Sequence, residues 1–465
     1  MAPVRSLWLQ EALATEDGDS SPELGERVEA DVCVVGGGYT GLWTALRLKE
    51  LEPDATVVVV ESDICGGGPS GRNGGFALSW WPKVETLVKR VGEEEARRLV
   101  KASEDAVAAI GAFCEREDVD AHFVRGGWLW TATSPAQLGS WEGAVAAAER
   151  MGERPFELLS AEEVQARTGS PVHLGAAYEA GAATVQPALL ARGLRRVALT
   201  RDVRIYERSP MLDLDRETGT VSTPSGAVRA ERIALATGAW LAGVPELTPA
   251  IVAVSSDMVA TAPMADRIEE AGWTGRESIS NCRLMVHYYR TTRDGRITFG
   301  QGGHRHVFGG RVDDDFFCHS EPAARVLADD LVRLVPFAGG VEVTNAWGGP
   351  IDRTADGLPF FGLLPGRARI AYGAGYSGNG VAPSLTAAKI LASSVLGLDD
   401  EWAGSGLNRG IPGRFPPEPV RYLGGFVVRA AVRRKEARED EARPVDPLTR
   451  RVAGLAPQGF FRVPR

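Results

Sequence analysis

The stretch ADVCVVGGGYTG (residues 30–41) contains a strand, a tight turn and the start of a helix. The apolar run 30–35 is typical of a parallel-sheet strand that is buried on both faces. The turn fits the pattern G-x-G-x-x-G. Gly36 permits the sharp turn, Gly38 lets a phosphate approach the backbone, and Gly41 lets the helix pack closely on the strand. The pattern therefore predicts a dinucleotide site at this turn.

The residues that follow support this prediction. A helical segment (42–50) and a β-branched run (56–60) complete a strand–helix–strand unit of the expected size. Glu61 stands twenty positions after Gly41, where a carboxylate accepts hydrogen bonds from ribose hydroxyls and disfavours a 2′-phosphate. Tyr39 and Thr40 lie at the predicted helix N-terminus, whose N–H groups suit a phosphate.

The first turn does not distinguish FAD from NAD, but three later segments favour FAD. In isolation, the first segment (residues 66–75) could equally be a flexible loop, and the second (residues 233–238) an ordinary tight turn. The third is a glycine-rich turn before the last predicted core helix, which implies that distant parts of the chain close over one extended ligand. The predicted cofactor-binding residues in these segments are Ser70, Gly71, Arg72, Asn73, Gly74 and Gly75; Thr237 and Gly238; and Gly375, Ser377, Gly378, Asn379 and Gly380. Met211, at the start of a strand-like run, is a further cofactor candidate.

Together these motifs resemble the D-amino-acid oxidase-like (DAO) family of FAD-dependent oxidoreductases. The resemblance covers about residues 30–396 and includes the segments WGG (347–349) and DGLP (356–359). The SGRNGG form of residues 70–75 and the early SLWL (6–9) look most like the γ-glutamylputrescine oxidoreductase branch. The resemblance implies hydride transfer to flavin N5 from the carbon beside a neutral amine. The resulting imine would hydrolyse.

The resemblance also suggests catalytic candidates, which are His304, Tyr289, Trp347 and Asp352. Glycine oxidases carry an arginine after the Trp-x-Gly turn that binds the substrate carboxylate, and Ile351 is nearest to that position here. We therefore hypothesise that a free α-carboxylate is not the main handle of the substrate, and that Asp352 helps to hold an ammonium group.

Two further departures from the family concern the flavin. Sarcosine oxidase uses a lysine near the flavin for reaction with oxygen, but no lysine occurs between Lys101 and Lys389. His304 could supply positive charge instead, or the electrons could pass to another acceptor than oxygen. The cysteine that binds flavin covalently in sarcosine oxidase has no clear match, and Cys318 is the nearest candidate. FAD is therefore expected to be non-covalent.

Composition restricts the partners and the compartment. The net charge of −9 argues against nucleic acid as a partner. The five cysteines form no C-x-x-C pair, which favours a reducing compartment, and we predict a cytoplasmic protein. No apolar stretch approaches the roughly 18 residues of a membrane span, so no firm membrane association is expected. His304 and His306 have no nearby third ligand, so no metal site is predicted.

The length of 465 residues favours two domains. We predict an α/β fold in which a discontinuous, doubly wound, Rossmann-like FAD-binding domain is built from residues 28–115, 170–245 and 345–400. A substrate domain with an antiparallel sheet would comprise residues 116–169 and 246–344. Residues 1–27 would be a polar leader, and residues 401–465 a basic tail rich in proline and arginine.

Two other functions remain open at this stage. A flavin-dependent hydroxylase that uses NAD(P)H would call for an aspartate in the late glycine-rich turn, and residues 375–380 contain none. A non-catalytic FAD-binding protein is favoured only by the basic tail. The leading prediction is an FAD-dependent enzyme that oxidises a C–N bond of a small amine or amino acid, with oxygen or another electron acceptor.

Overall fold

The computed structural model describes residues 4–16, 20–273, 275–310, 312–313, 316–317 and 321–457. The strands are β1 (Arg27–Val35), β2 (Val57–Val60), β3 (Phe76–Ala77), β4 (Trp128–Ala132), β5 (Glu157–Leu159), β6 (Gly175–Glu179), β7 (Ala183–Thr184), β8 (Arg204–Tyr206), β9 (Asp213–Asp215), β10 (Thr220–Ser222), β11 (Ala227–Leu235), β12 (Val252–Thr261), β13 (Ser278–Asn281), β14 (His287–Thr291), β15 (Ile297–His306), β16 (Val343–Arg353), β17 (Phe360–Leu364) and β18 (Arg369–Ala374). The helices are α1 (Leu7–Thr15), α2 (Tyr39–Leu51), α3 (Val84–Val91), α4 (Glu93–Arg116), α5 (Glu142–Arg150), α6 (Ala161–Thr168), α7 (Pro187–Thr200), α8 (Ala265–Glu270), α9 (Glu321–Leu334), α10 (Pro383–Leu396), α11 (Val420–Asp440) and α12 (Pro447–Ala453).

The first sheet contains the predicted dinucleotide turn. Its order is β17-β18-β11-β1-β2-β8, and the five strands from β18 to β8 are parallel to their neighbours. Strand β10 pairs with the start of β11, and β9 pairs with β10. Strand β2 and the last four residues of β1 are buried on both faces, which explains their valine-rich sequence.

Helices α2, α7 and α10 cover one face of this sheet, where Val32 and Val34 pack among them. The other face carries Cys33 and Val35 and is covered by β10 and the turns of residues 238–250. Because both faces are closed, only the ends of the parallel strands are open to a ligand. This is where ligands bind in open α/β sheets.

The second sheet lies beside the first and has the order β16-β12-β15-β14-β13-β4-β6-β5. All its neighbouring pairs are antiparallel except β13 with β4. Helix α9 packs against one face of this sheet through Leu327 and Leu331. The mixed α/β fold class, with one mainly parallel and one mainly antiparallel sheet, is therefore confirmed.

The sheets divide the chain differently from the predicted segments in two places. Strand β6 falls in the segment 170–245 and strand β16 in the segment 345–400, both assigned to the FAD-binding domain, but both pair in the second sheet. Strand β16 carries the WGG segment across from the second sheet toward the first. Strand β16 is close in sequence to the late glycine-rich turn, but its backbone pairs with β12 of the second sheet.

The predicted polar leader contains a docked helix. Ser6 caps α1 by accepting a hydrogen bond from the Leu9 N–H, and Trp8 and Leu9 are fully buried. The indole of Trp8 donates to the carbonyl of Asn73 at 3.0 Å and packs edge-on against Trp347. The polar overall composition of residues 1–27 hides this helix, because only one face of α1 is apolar.

The predicted basic tail forms helices α11 and α12. The carboxylate of Glu436 on α11 accepts hydrogen bonds from the backbone N–H groups of Leu284 and Met285 and pairs with Arg283. Phe426 packs against the ring of His306 on β15. The tail therefore docks along the second sheet. None of the helices in the described ranges has the length and apolarity needed to cross a membrane.

We expect Trp8→Ala to lower the free energy of unfolding by about 3–5 kcal/mol, because it empties a fully buried site and removes the hydrogen bond to Asn73. Gln10→Ala, on the exposed face of the same helix, should change it by less than about 0.5 kcal/mol. Urea unfolding followed by tryptophan fluorescence measures both. Equal losses in the two variants would show that α1 is not anchored through Trp8.

Candidate functional site

A cavity of about 640 Å³ lies between the two sheets. On one side it is lined by the residues that follow β1, β2 and β11, among them Gly36, Glu61 and Thr237. On the other side it is lined by the second sheet, including Ser256 and Gly302. The cavity is within the size range of cofactor and ligand sites and lies where the fold leaves strand ends open.

The glycines of the first turn leave room for a ligand at the N-terminus of α2. A Cβ atom on Gly38 would lie 2.8 Å from Oγ of Ser70, and one on Gly41 would lie 1.8 Å from the carbonyl oxygen of Gly36. Gly38 therefore keeps the cavity open, while Gly41 permits the contact between helix and turn. Oγ of Ser70 accepts a hydrogen bond from the Tyr39 N–H at 2.9 Å.

Glu61 is held rigidly at the end of β2. Its carboxylate accepts hydrogen bonds from the N–H groups of Gly37 (2.6 Å) and Asp63 (2.9 Å) and from the Ser62 hydroxyl. Burial raises the pKa of Glu61, although these donors oppose the rise. The carboxylate lines the cavity and can still accept hydrogen bonds from the hydroxyls of a ribose.

Residues 70–75, which we call the cofactor loop, are fixed through their carbonyl oxygens. Four successive carbonyls each accept a hydrogen bond from a side chain outside the loop. These donors are Ser6 to Gly71 (2.6 Å), Trp347 to Arg72 (2.9 Å), Trp8 to Asn73 (3.0 Å) and Arg290 to Gly74 (2.8 Å). With its carbonyls held this way, the loop has a single position against the cavity.

The late glycine-rich turn is tied to the first turn across the cavity. The hydroxyls of Thr40 and Tyr376 are 2.7 Å apart, which joins residues separated by 336 positions. The Gly375 N–H donates to the carboxylate of Asp352 at 2.6 Å. The amide of Asn379 donates to the Ser79 carbonyl at 2.9 Å. The structure thus brings the predicted early and late segments together.

Asp352 lies at the end of β16 and lines the cavity. Burial raises the pKa of its carboxyl to about 6, while backbone N–H groups of the late turn oppose the rise. Near neutral pH the carboxylate is therefore mainly ionised. It places a negative charge at the wall of the cavity.

The sequence interpretation overlooked Lys83, which is buried beneath the late turn. Its ammonium donates to the Gly357 carbonyl at 2.6 Å and is 3.4 Å from the carbonyl of Tyr376. Burial and the nearby Arg353 lower the pKa of Lys83 to about 7. Lys83 precedes the lysine-free span of the sequence and was not considered, because its partners are about 270 or more residues away.

The lining also contains residues outside the predicted catalytic and cofactor-binding sets, among them Tyr288 and Arg353. The hydroxyls of Tyr288 and Ser256 are 2.7 Å apart on the second-sheet wall. Arg353 is 6% exposed, and its Nε has no hydrogen-bond partner within the described ranges. The available sequence signal for Arg353 was its place beside Asp352 at the end of β16, whose other residues are uncharged.

Most predicted site residues do line the cavity. They are Gly36, Gly38, Tyr39, Thr40, Glu61, Ser70, Arg72, Asn73, Gly74, Met211, Thr237, Gly238, Ser377, Gly378, Gly380 and Asp352. Other predicted residues lie behind the lining, where they support it. These are Gly41, Gly71, Gly75, Gly375 and Asn379.

Two predicted catalytic residues are not brought to the cavity. The hydroxyl of Tyr289 is 3.0 Å from Nε2 of His173, and its ring packs in the core of the second sheet. Successive strand residues face opposite ways, so Tyr288 faces the cavity instead. Trp347 is fully buried behind the cofactor loop, where it acts through its hydrogen bond to Arg72. The side chain of His304 and all of Cys318 lie outside the described residues.

The site fits a dinucleotide with a bulky second end. One end of the cavity has glycines and a helix N-terminus that suit phosphates, and a carboxylate that suits a ribose. The cavity then continues past the cofactor loop to a wall formed by Tyr288, Ser256 and Gly349. Gly349 leaves that wall flat, because a Cβ there would lie 3.3 Å from the side chain of Arg72. The arrangement can hold FAD with its ring between the cofactor loop and the second sheet.

Comparisons with known proteins agree with this geometry. Residues 31–394 match the model of the DAO family, described as FAD dependent oxidoreductase. The chain is similar to γ-glutamylputrescine oxidoreductase of Escherichia coli (strain K12), at 30% identity over 378 residues, which cover 80% of this chain and 85% of that protein. It is also similar to the probable oxidoreductase OrdL of Haemophilus influenzae, at 27% identity over 82% of this chain and 86% of that protein.

Solved structures show the same fold. Glycine oxidase from Geobacillus kaustophilus matches with a TM-score of 0.67 and 22% identity, covering 82% of this chain and 99% of that chain. At this identity the likeness supports the fold, whereas the matched family model supports the cofactor class.

Lys83→Met should remove a pH dependence from the stability of the protein. Because burial lowers the pKa of Lys83 from 10.5 to about 7, the unfolded chain binds more protons than the folded chain between these values. The contribution of Lys83 to the free energy of unfolding therefore rises with pH across that window. Wild type should gain stability relative to Lys83→Met between about pH 7.5 and about pH 9.5 in urea titrations. The exposed Lys89→Met is the control, and parallel pH profiles of wild type and Lys83→Met would contradict the assignment.

Proposed function

The chain belongs to the DAO family of FAD-dependent oxidoreductases, and from this premise we propose that it oxidises a C–N bond of a small amine or amino acid. The observation that carries the proposal is the continuity of the cavity. A dinucleotide end between the first and late turns opens directly onto a wall of the second sheet. A small substrate can lie between that wall and the cofactor ring.

We propose that FAD lies along the lining residues predicted from the sequence. The first turn and Ser70 would hold the pyrophosphate, and Glu61 would hold the ribose. The cofactor loop and the late turn would hold the ring. When bound, FAD supplies the acceptor for a hydride from the carbon beside the amine nitrogen. The binding is proposed to be non-covalent, since Cys33, Cys65, Cys114 and Cys282 are buried free thiols that do not line the cavity.

The side chains of the cavity orient the substrate and control its charge. Asp352 places a carboxylate beside the late turn, where it can accept a hydrogen bond from the amine and hold it against the ring. The hydroxyls of Tyr288 and Ser256, which are 2.7 Å apart, add polar groups to the second-sheet wall. The imine product then hydrolyses, which needs no nucleophile from the chain. We further propose a cytoplasmic location, because free thiols suit a reducing compartment.

The test is an anaerobic absorbance titration of the purified protein with amines and amino acids. The panel includes γ-glutamylputrescine, putrescine, sarcosine, glycine and several D-amino acids. We expect one class of compound to bleach the flavin band, because the hydride moves to the cofactor without oxygen. Readmission of air then identifies the acceptor, with fast recovery for an oxidase and slow recovery for a dehydrogenase. A bound flavin that no amine bleaches, together with substrate-stimulated consumption of NADPH, would replace the proposal with hydroxylation.

Asp352→Asn should raise the amine concentration needed for half-maximal bleaching by about 10-fold, because the amide cannot supply a negative charge to the amine. Asp356→Asn is the matched control. Asp356 is also buried but pairs with Arg409 outside the cavity. Equal amine affinity in wild type and Asp352→Asn, with FAD retained, would remove Asp352 from the substrate site.

A further inference from the structure

Helix α11 has an inner side that docks on the protein and an outer side that is exposed. On the inner side, Val432 and Glu436 are each 3% exposed. On the outer side, Val420, Leu423 and Val427 are 59%, 60% and 60% exposed. Their spacing of i, i+3 and i+7 places these three residues along one line of the helix. A run of large apolar side chains with this exposure is typical of a binding surface.

The exposed apolar side chains continue on the neighbouring helix. Leu448 in α12 and Leu455 just after it are 72% and 73% exposed. The guanidinium of Arg434 on the outer side of α11 lies 3.7 Å from the carboxylate of Asp446, which caps the start of α12. This ion pair places the two exposed sides next to each other. We call the five apolar residues of this surface, Val420, Leu423, Val427, Leu448 and Leu455, the tail face.

The first turn of α11 also lies beside the chain connection that reaches the cavity. Phe308, which follows β15, is 54% exposed and packs edge-on against Tyr422 of α11, with ring centroids 5.7 Å apart. Val312 and Phe317 belong to the same connection between β15 and α9, and both line the cavity. The tail face is therefore connected through Phe308 to one part of the cavity lining.

Basic side chains accompany the tail face. Arg433 and Arg434 on α11 and Arg450 and Arg451 on α12 are all exposed. Residues 401–465 contain 13 basic and 7 acidic side chains, whereas the whole chain has a net charge of −9. Positive charge is thus concentrated in the segment that also exposes the leucines and valines.

This charge distinguishes between the occupants that an apolar surface could take. In a two-fold symmetric dimer the tail face would meet a second tail face, so the arginines of two copies would approach each other. An acidic polypeptide would pair with the arginines only. An anionic lipid bilayer offers acidic headgroups to the arginines and an apolar layer to the leucines and valines, so it suits both kinds of side chain.

We propose that the tail face binds the surface of an anionic lipid bilayer, with α11 and α12 lying along the headgroup region. This goes beyond the proposed amine oxidation and does not depend on it. It also revises the expectation of no firm membrane association, which came from the lack of a spanning stretch. A helix that lies on a bilayer needs only one apolar side. Docking would bring the connection that contains Phe308 close to the lipid.

Flotation with lipid vesicles tests the proposal on the full-length, FAD-loaded protein. Vesicles of phosphatidylcholine alone are compared with vesicles that contain about 30% phosphatidylglycerol. We expect wild type to bind the anionic vesicles at least about 10-fold more tightly than the neutral ones. This preference should shrink in about 0.5 M salt, because salt screens exposed charges.

Two double variants separate the apolar and the charged contributions. Leu423→Gln with Val427→Gln should weaken binding to anionic vesicles by at least about 10-fold, because these side chains no longer gain from leaving water. Arg433→Gln with Arg434→Gln should weaken it by about 10-fold and leave the residual binding less sensitive to salt. All four residues are exposed, so both variants should keep their FAD and the melting temperature of wild type.

Matched controls change exposed residues elsewhere on the surface. Leu158→Gln with Leu199→Gln replaces two apolar residues that are 55% and 39% exposed on β5 and α7. Arg97→Gln with Arg325→Gln replaces two arginines on α4 and α9 whose side chains are 49% and 79% exposed. Both controls should bind anionic vesicles within about 2-fold of wild type.

Wild-type protein that does not float with anionic vesicles would overturn the proposal, as would tail-face variants that float like wild type. A wild-type dimer that Leu423→Gln with Val427→Gln dissociates, in the absence of vesicle binding, would assign the face to a second copy instead. Binding to poly-L-glutamate as tight as to anionic vesicles would assign it to acidic polypeptides. The amine titration is a separate measurement, so failure of vesicle binding leaves the proposed oxidation standing, and the reverse also holds.

Discussion

The position of the cofactor loop is the constraint on which the rest of the site depends. Four successive carbonyls of this loop accept hydrogen bonds from side chains of α1, β14, β16 and the residue before α1. A glycine-rich loop has high conformational freedom in the unfolded chain, so ordering it costs free energy. Donors on the second sheet and on the N-terminal segment offset that cost. The loop consequently holds the two sheets at the separation that makes the cavity.

The second theme is the use of buried charge. Lys83, Asp352 and Arg353 lie around the end of β16 and the late turn. Burial shifts the pKa of each in the direction that favours the neutral form, downward for Lys83 and Arg353 and upward for Asp352. Lys83 and Asp352 have backbone partners, whereas Arg353 faces the open cavity. The polypeptide backbone thus satisfies the two charges that position the turn.

The parts of the site that were predictable from the sequence are those specified by local spacing. The offsets of Gly36, Gly38, Gly41 and Glu61 follow from one strand–turn–helix–strand unit, so a short window contains the whole signal. The second-sheet wall of the cavity was less predictable. The adjacent tyrosines near the start of β14 give no alternation of polar and apolar residues that would show which of them faces the cavity. Lys83 and the N-terminal helix were missed for a different reason. Their partners are remote in sequence, and the overall composition around them indicates nothing about burial.

The Thr40–Tyr376 pair has a consequence for synthesis on the ribosome. The two residues are separated by 336 positions, so the cavity cannot close until nearly all of the first sheet has been translated. At roughly 5–20 residues per second, the nascent first turn waits roughly 20 to 70 s for its partner. Strand β1 lacks its neighbour β11 until residue 235 has been made, and β11 lacks its neighbour β18 until residue 374 has been made. The cavity is therefore complete only after residue 376 has been synthesised.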